Sequence, residues 1–286
     1  MQRIKVVLTQ ILQFWRKFKY WFGYGLFISV IIYSLSNVPD ELSQINLIWL
    51  LASVLVIVVM FMLQWWQVTI FLNYHNIKNV AIDTALFNAR KGILNTLLPA
   101  RLGTIALLHT ITNKYGLKWH QFVTFMIVAS VIAMLVSVLA AAWLLSSSTV
   151  FIVILSVFLV SLFFIEQKKW FPYSECLFEL FIIAVCLYLA TILVFFCLLR
   201  GLNYSLSFEE ISYFAIVLNL LAQIAITPGN VGIREVVLGL LSTHVALPIS
   251  VGIIASSLLF ILRIIVYGLF WGWTEWYILK KRKIKK

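Results

Sequence analysis

Several long apolar runs constrain the fold of this chain more than any other feature of its sequence. Residues 47–71 and 121–145 contain no charged side chain. A hydrophobic run of about 20 residues is long enough for a helix to cross the hydrocarbon core of a bilayer. A helix also pairs its own backbone N–H and C=O groups, which lipid cannot do. The pattern therefore predicts an all-α polytopic membrane protein.

We predict about six transmembrane helices, with both termini in the cytoplasm. The expected spans are residues 21–35, 47–71, 121–145, 150–165, 178–199 and 250–277. Lys and Arg residues are enriched in cytoplasmic loops, so their positions indicate orientation. All 22 except Arg101, Arg200, Arg234 and Arg263 lie between apolar runs or at the termini. This pattern is typical of a multi-pass protein of the cell (inner or plasma) membrane.

The composition excludes several classes of function. The chain is 63% hydrophobic and 11% charged, which leaves no stretch polar enough for a soluble catalytic domain. Its net charge of +12 follows from the basic flanks of the spans, so we expect no nucleic-acid partner. No nucleophile elbow, metal cluster or glycine-rich nucleotide loop is present. We therefore predict no catalytic residues, no metal, no cofactor and no enzymatic activity.

Two apolar segments are interrupted by helix-breaking residues. Residues 223–235 contain Thr-Pro-Gly at 227–229 and Gly232, and the charges Arg234 and Glu235 follow directly. Proline lacks a backbone N–H and disfavours helix at the preceding residue. A broken helix that carries charge at membrane depth is tolerated only where protein or a wet cavity surrounds it. The alternative is a loop outside the bilayer.

The earlier segment, residues 92–113, has the same plan. Asn95, Pro99, Arg101 and Gly103 interrupt it, and both of its flanks are basic. Both flanks are therefore expected on one side of the membrane, which favours a re-entrant helical hairpin over a span. A Pro-x-x-x-Gly pattern recurs in both segments, from Pro99 to Gly103 and from Pro228 to Gly232.

This recurrence predicts an inverted repeat within a single membrane domain of residues 1–286. Residues 1–20 form a basic amphipathic segment, 21–147 the first half, 149–279 the second half and 280–286 a basic cytoplasmic tail. Each half holds three spans, an odd number, so the halves insert with opposite orientation. The two hairpins then enter from opposite faces, as broken helices do in secondary transporters.

The interrupted segments resemble the flippase-like transmembrane region of lysylphosphatidylglycerol synthases, over roughly residues 85–277. Members of that family carry Thr-Pro-Gly-x-x-Gly-x-x-Glu in the second half and an Arg in the last span. The matching positions here are Thr227, Pro228, Gly229, Gly232, Glu235 and Arg263. The resemblance implies a stand-alone membrane domain without the soluble synthase domain, so synthesis of aminoacylated lipid is not implied.

The first half departs from the family pattern. Thr104 follows Gly103, where the family carries an acid. Leu107 or Leu108 stands where the family often carries a basic residue. Residues 129–135 are uncharged, although the family carries Arg and Asp in this span. These departures bear on transport activity and on the identity of the lipid.

Three arginines are candidates for binding a lipid headgroup: Arg101, Arg234 and Arg263. A guanidinium group fits phosphate with two parallel hydrogen bonds. Helix N–H groups after Gly232 add further donors. Glu235 is the expected counter-charge, either exchanging a proton during transport or only fixing helix packing through Arg234 or Arg263.

The sequence thus predicts a flippase-like protein that binds or translocates an anionic phospholipid or a polyprenyl-phosphate-linked precursor. Its expected partners are the bilayer, that lipid and envelope-biosynthesis enzymes. The alternatives are a non-transporting membrane partner in envelope lipid or glycan assembly, and a membrane-embedded transferase.

Overall fold

The structure is a computed structural model that describes residues 45–78, 80–97, 102–145, 173–223 and 230–284, together with residues 25, 28, 29 and 32. Some predicted features fall outside these residues. They are the basic N-terminal segment, the spans expected at 21–35 (apart from those four positions) and 150–165, and the residues Pro99, Arg101, Thr227, Pro228 and Gly229.

The described residues form eight α-helices and a short 3₁₀ turn, Ser174–Cys176, and they contain no strand. The helices are α1 (Leu47–Tyr74), α2 (Ala81–Leu97), α3 (Leu102–Tyr115), α4 (Trp119–Leu145), α5 (Leu177–Gly201), α6 (Phe208–Gln223), α7 (Ile233–His244) and α8 (Ile249–Ile284). The prediction of an all-α protein is therefore confirmed for this part of the chain.

Four of these helices are long and apolar enough to cross a membrane. The qualifying stretches are Leu47–Tyr74, Trp119–Leu144, Ser174–Gly201 and Ile249–Lys280, so they correspond to α1, α4, α5 and α8. They match four of the six expected spans within a few residues at most ends, although α8 extends into the basic tail. The protein is thus a multi-pass membrane protein.

The other four helices are shorter and form two hairpins. The first hairpin is α2 and α3, and the second is α6 and α7. None of them exceeds 17 residues, which is fewer than the roughly 20 that a full crossing needs. The helix expected after Gly232 begins at Ile233, as predicted.

The outer ends of the two hairpins lie at opposite ends of the bundle. At one end, the Tyr173 hydroxyl donates to the Gln121 carbonyl at 2.7 Å and lies 3.2 Å from the His75 ring. We call this the basic end, because the α1–α2 and α3–α4 connections there carry Lys78 and Lys118.

At the opposite end, α5 ends beside the beginning of α1, and the α5–α6 and α7–α8 connections lie there. The Asn46 N–H donates to the Gly201 carbonyl at 2.9 Å. The Tyr213 ring near the beginning of α6 contacts His244 at the end of α7, with ring centroids 5.7 Å apart. The first hairpin therefore opens toward the basic end and the second toward the opposite end.

Helix packing repeats when the halves are exchanged. In that exchange, α1 to α4 correspond to α5 to α8. Helix α2 packs on α8 as α6 packs on α4, and α1 packs on α8 as α5 packs on α4. Helices α1 and α5 pack against each other at the centre. Two contacts among the described helices depart from this symmetry: the packing of α5 on α8 has no comparable counterpart, and α7 packs on α8 far more extensively than α3 packs on α4.

Candidate functional site

A polar cavity of about 270 Å³ lies where the two hairpins approach the long helices. Its wall includes Gln64 on α1, Ser130 on α4, Tyr188 on α5 and Arg263 on α8. Each of these residues lies near the middle of a helix that can cross a membrane. The cavity is therefore at mid-depth in the bundle.

Both hairpins reach this cavity with their inner ends. Asn95 lies in the last turn of α2, and Thr104 in the first turn of α3. Gln223 is the last residue of α6, and Asn219 lies one turn before it. The breaks predicted from Pro99 and Pro228 thus follow helices that end at mid-depth.

Two cations line the cavity, Lys91 on α2 and Arg263 on α8. The lining residues that the structure describes include no Asp or Glu. Lys91 is only 7% exposed. Cations at membrane depth are costly and in most proteins mark the path of a substrate or ion. The cavity wall consequently carries two basic side chains.

Neutral polar groups make up much of the remaining wall. In addition to Asn95 and Thr104, four side-chain amides and three hydroxyls line it: Gln64, Gln67, Asn219, Gln223, Ser130, Tyr188 and Thr191. The Tyr267 hydroxyl, one turn beyond Arg263 on α8, donates to the side-chain oxygen Oε1 of Gln64 at 2.7 Å. Such groups donate and accept hydrogen bonds without adding charge.

The first hairpin is joined at its inner end by neutral hydrogen bonds. The Asn95 side-chain oxygen accepts from the Thr104 N–H at 3.0 Å, and its amide donates to the Thr104 hydroxyl at 3.1 Å. A Cβ on Gly103 would lie 2.3 Å from the Lys91 carbonyl oxygen, so glycine permits this close approach. Asn95 thereby satisfies a free N–H in the first turn of α3.

The second hairpin is fixed by a buried ion pair. The Arg234 guanidinium donates to Glu235 Oε1, with Nη2 at 2.5 Å and Nε at 3.1 Å. The Ser256 hydroxyl on α8 accepts from Arg234 Nε at 2.8 Å and donates to Glu235 Oε1 at 3.1 Å. The other carboxylate oxygen accepts from the Gly232 N–H at 2.7 Å, which caps α7.

This ion pair is closed to solvent. Arg234 is 4% exposed and Glu235 is fully buried, and the guanidinium carbon lies 5.3 Å from the centre of the Phe260 ring. Arg234 is not among the residues that line the cavity. Of the two alternative partners expected for Glu235, the structure places Arg234 against it. Arg263 instead faces the cavity, about two turns beyond Ser256 on α8.

Of the three predicted headgroup arginines, Arg263 lines the cavity, Arg234 does not, and Arg101 lies outside the described residues. Sequence reasoning missed Lys91, which it placed among the basic residues between apolar runs. That assignment was wrong because α2 begins at Ala81 and buries Lys91 in the cavity wall. The available signal was the spacing of Lys91 and Asn95, which are four residues apart and so share one helix face.

Metal chemistry finds no support in the part of the chain that the structure describes, because no group of three His, Cys, Asp or Glu residues forms there.

A family model described as "Lysylphosphatidylglycerol synthase TM region" matches residues 20–272. The chain belongs to the family of lysylphosphatidylglycerol synthase transmembrane regions. No curated protein and no solved structure matches it.

Membership of this transmembrane-region family confirms the resemblance drawn from the two interrupted segments. The match includes both hairpins and all four long helices, apart from the last part of α8. In this family catalysis usually resides in a separate synthase domain rather than in the membrane region. Association with lipid is implied by the family.

Proposed function

We propose that this protein binds an anionic lipid headgroup in the central cavity and moves it across the membrane. The observation that carries the proposal is the pair Lys91 and Arg263 in a mid-depth cavity whose described lining residues include no carboxylate. Such a cavity supplies positive charge to the phosphate-bearing headgroup of a phospholipid or of a polyprenyl phosphate. The hydrocarbon interior of the bilayer has no such charge.

Each polar group has a distinct task in this proposal. The Arg263 guanidinium binds phosphate oxygens with its planar fork, and Lys91 adds a compact positive charge. The amides and hydroxyls of the wall bind the remaining hydroxyl groups of a glycerol or sugar. The cavity of about 270 Å³ is large enough to hold water and to admit one such headgroup.

Arg234 and Glu235 have a different role, as the element that holds α7 on α8. Glu235 is the counter-charge of Arg234 in this anchor, and its coupling role stays a prediction from the sequence. The sequence also predicts that Arg101 binds the headgroup.

Transport from either side follows from six spans and two opposed re-entrant hairpins in an inverted repeat. The repeated helix packing supports this architecture, as do the hairpin mouths at opposite ends of the bundle. The excess of lysine at the basic end favours a cytoplasmic position for that end.

A translocation assay in phosphatidylcholine vesicles tests the proposal. The vesicles contain headgroup-labelled phosphatidylglycerol, or polyprenyl phosphate in a second series, and the appearance of label on the far leaflet is timed. We expect the wild type to accelerate transfer, Arg263→Ala to lose at least tenfold of that acceleration, and Arg200→Ala to retain it. Arg200 is the matched control because it is exposed at the opposite end of the bundle.

Equal transfer with and without the protein, for both lipids, would remove the flippase proposal. Selective binding of the labelled lipid without transfer would instead assign the chain to the non-transporting partners of envelope assembly. A membrane-embedded transferase requires covalent incorporation of a labelled donor into lipid, which the same vesicles report by extraction and chromatography.

A further inference from the structure

An apolar groove of about 320 Å³ lies between α3 and α4, on the outer surface of the bundle. Its lining is almost entirely hydrocarbon: Ile105, Leu108, Phe122, Val123, Met126, Ile127 and Val131. Thr104 and Ser130 complete it and are its two hydroxyl-bearing residues. The groove extends from the mid-depth of α4 toward its first turn, which lies at the basic end.

The groove and the polar cavity share part of their walls. Thr104, Met126 and Ser130 line both of them. Thr104 is the residue that Asn95 binds at the inner end of the first hairpin. The groove therefore adjoins the cavity of Lys91 and Arg263, and these three residues form the wall between them.

The side chains at the rim of the groove face outward. Ile105 is 53% exposed, Ile127 58% and Val131 51%. On a helix that crosses a membrane, an exposed apolar side chain at mid-depth faces the hydrocarbon of the lipid. The groove thus borders the polar cavity on one side and faces the interior of the bilayer on the other.

The corresponding position in the second half is closed. Helices α7 and α8 meet so closely that a Cβ on Gly252 would lie 2.3 Å from the Leu238 carbonyl oxygen. One turn further along α8, Ser256 is hydrogen-bonded to both Arg234 and Glu235. The groove of the first half therefore has no counterpart at this contact between α7 and α8.

We propose that the groove between α3 and α4 holds a hydrocarbon chain of the lipid whose headgroup occupies the central cavity, and that the lipid enters sideways through it. This inference rests on the proposed function. One amphiphile satisfies both surfaces, because its phosphate meets the two cations while its chain remains in an apolar environment. A headgroup without a chain satisfies only the cavity.

Photo-crosslinking from the groove tests this route. The photoreactive amino acid benzoylphenylalanine replaces Ile127, and the protein is placed in vesicles that contain radiolabelled phosphatidylglycerol or phosphatidylcholine with identical chains. A chain held because of its headgroup is captured selectively, whereas lipid that merely surrounds the protein is not. We expect at least threefold more capture of phosphatidylglycerol, and loss of this preference in Arg263→Gln.

Val138 provides a matched position for the same label. It is 47% exposed and lies 11 residues beyond Ile127, about three turns along the same face of α4, outside the groove. We expect capture there to be equal for both lipids. Equal capture at Ile127 as well, or no lipid capture at Ile127 because another segment of the chain covers the groove, would overturn the proposal.

The two proposals fail in different ways. Translocation that depends on Arg263, with capture at Ile127 that ignores the headgroup, would leave the flippase function and remove the lateral route. Selective capture at Ile127 without translocation would leave the binding site and its groove, and remove transport.

Discussion

The two hairpins occupy corresponding positions in the helix packing but differ in chemistry. The first is joined at its inner end by neutral bonds between Asn95 and Thr104, and a groove separates α3 from α4. The second is locked to α8 by Arg234, Glu235 and Ser256. A repeat can thus preserve its packing plan while one half becomes an anchor and the other remains open to a ligand.

The difference also separates two uses of charge. In the second hairpin a cation is neutralised inside the protein, so its charge stabilises a helix contact. At the cavity, Lys91 and Arg263 face a space whose described lining residues offer no carboxylate. In the proposed function, the charges at the cavity serve an anionic ligand instead.

The largest effect is expected from removing the carboxylate of the anchor. Glu235→Ala leaves Arg234 buried without its counter-charge, which costs roughly 3–5 kcal/mol of unfolding free energy. Thermal unfolding in detergent measures the loss. The double variant Arg234→Met with Glu235→Ala should recover part of it, because no uncompensated charge remains.

Glu209→Ala is the control for that experiment, since Glu209 is exposed in the first turn of α6. It should unfold as the wild type does. Equal unfolding temperatures for Glu235→Ala and Glu209→Ala would contradict the anchor role of the second hairpin.

A smaller loss is expected from widening the contact between α7 and α8. In Gly252→Ala the new methyl group meets the Leu238 backbone at 2.3 Å, so the helices must separate. Overpacking of this kind costs about 1–3 kcal/mol. Gly268→Ala on the same helix has no atom within 4 Å of its new methyl group and should be neutral or slightly stabilising. Identical unfolding curves for the two variants would show that the second half is not tightly closed.

The smallest effect is expected at the inner end of the first hairpin. Thr104→Val removes the hydroxyl that accepts from Asn95 but retains the backbone bond. The expected loss is about 0.5–1.5 kcal/mol, the usual net contribution of one hydrogen bond. A loss as large as that of Glu235→Ala would mean that the first hairpin is an anchor too, and the comparison would fail.

Thr104→Glu sharpens the comparison further, because it places an acid where the family expects one. A carboxylate in the cavity wall opposes the positive charges of Lys91 and Arg263. The protein should therefore bind labelled phosphatidylglycerol in vesicles more weakly. Asn113→Glu, exposed near the outer end of the same helix and outside the cavity, is the control. Undiminished lipid binding by Thr104→Glu would count against an electropositive site.

The sequence predicted the long helices well because hydropathy alone determines them. The expected spans at 47–71 and 178–199 differ by only a few residues from α1 and α5. The beginning of α7 followed from Gly232. Helix α2 was harder, since its polar residues, such as Asn88 and Arg90, resemble those of a cytoplasmic connection.

The candidate site was only partly predictable for a related reason. Gln64 and Asn219 are single polar residues within apolar runs, and only tertiary packing brings them to one cavity. The sequence marked both Arg234 and Arg263 as intramembrane cations. It gave no means of telling that one faces Glu235 and the other faces the cavity, because this depends on how α7 and α8 rotate against each other.

The central claim is that Lys91 and Arg263 together hold an anionic headgroup at mid-depth. Native mass spectrometry of the purified protein, after exposure to equal amounts of phosphatidylglycerol and phosphatidylcholine, tests it most directly. The wild type and the control Lys118→Gln with Arg200→Gln should retain phosphatidylglycerol preferentially, and Lys91→Gln with Arg263→Gln should show no preference. Undiminished preference in the Lys91 and Arg263 double variant would contradict the account.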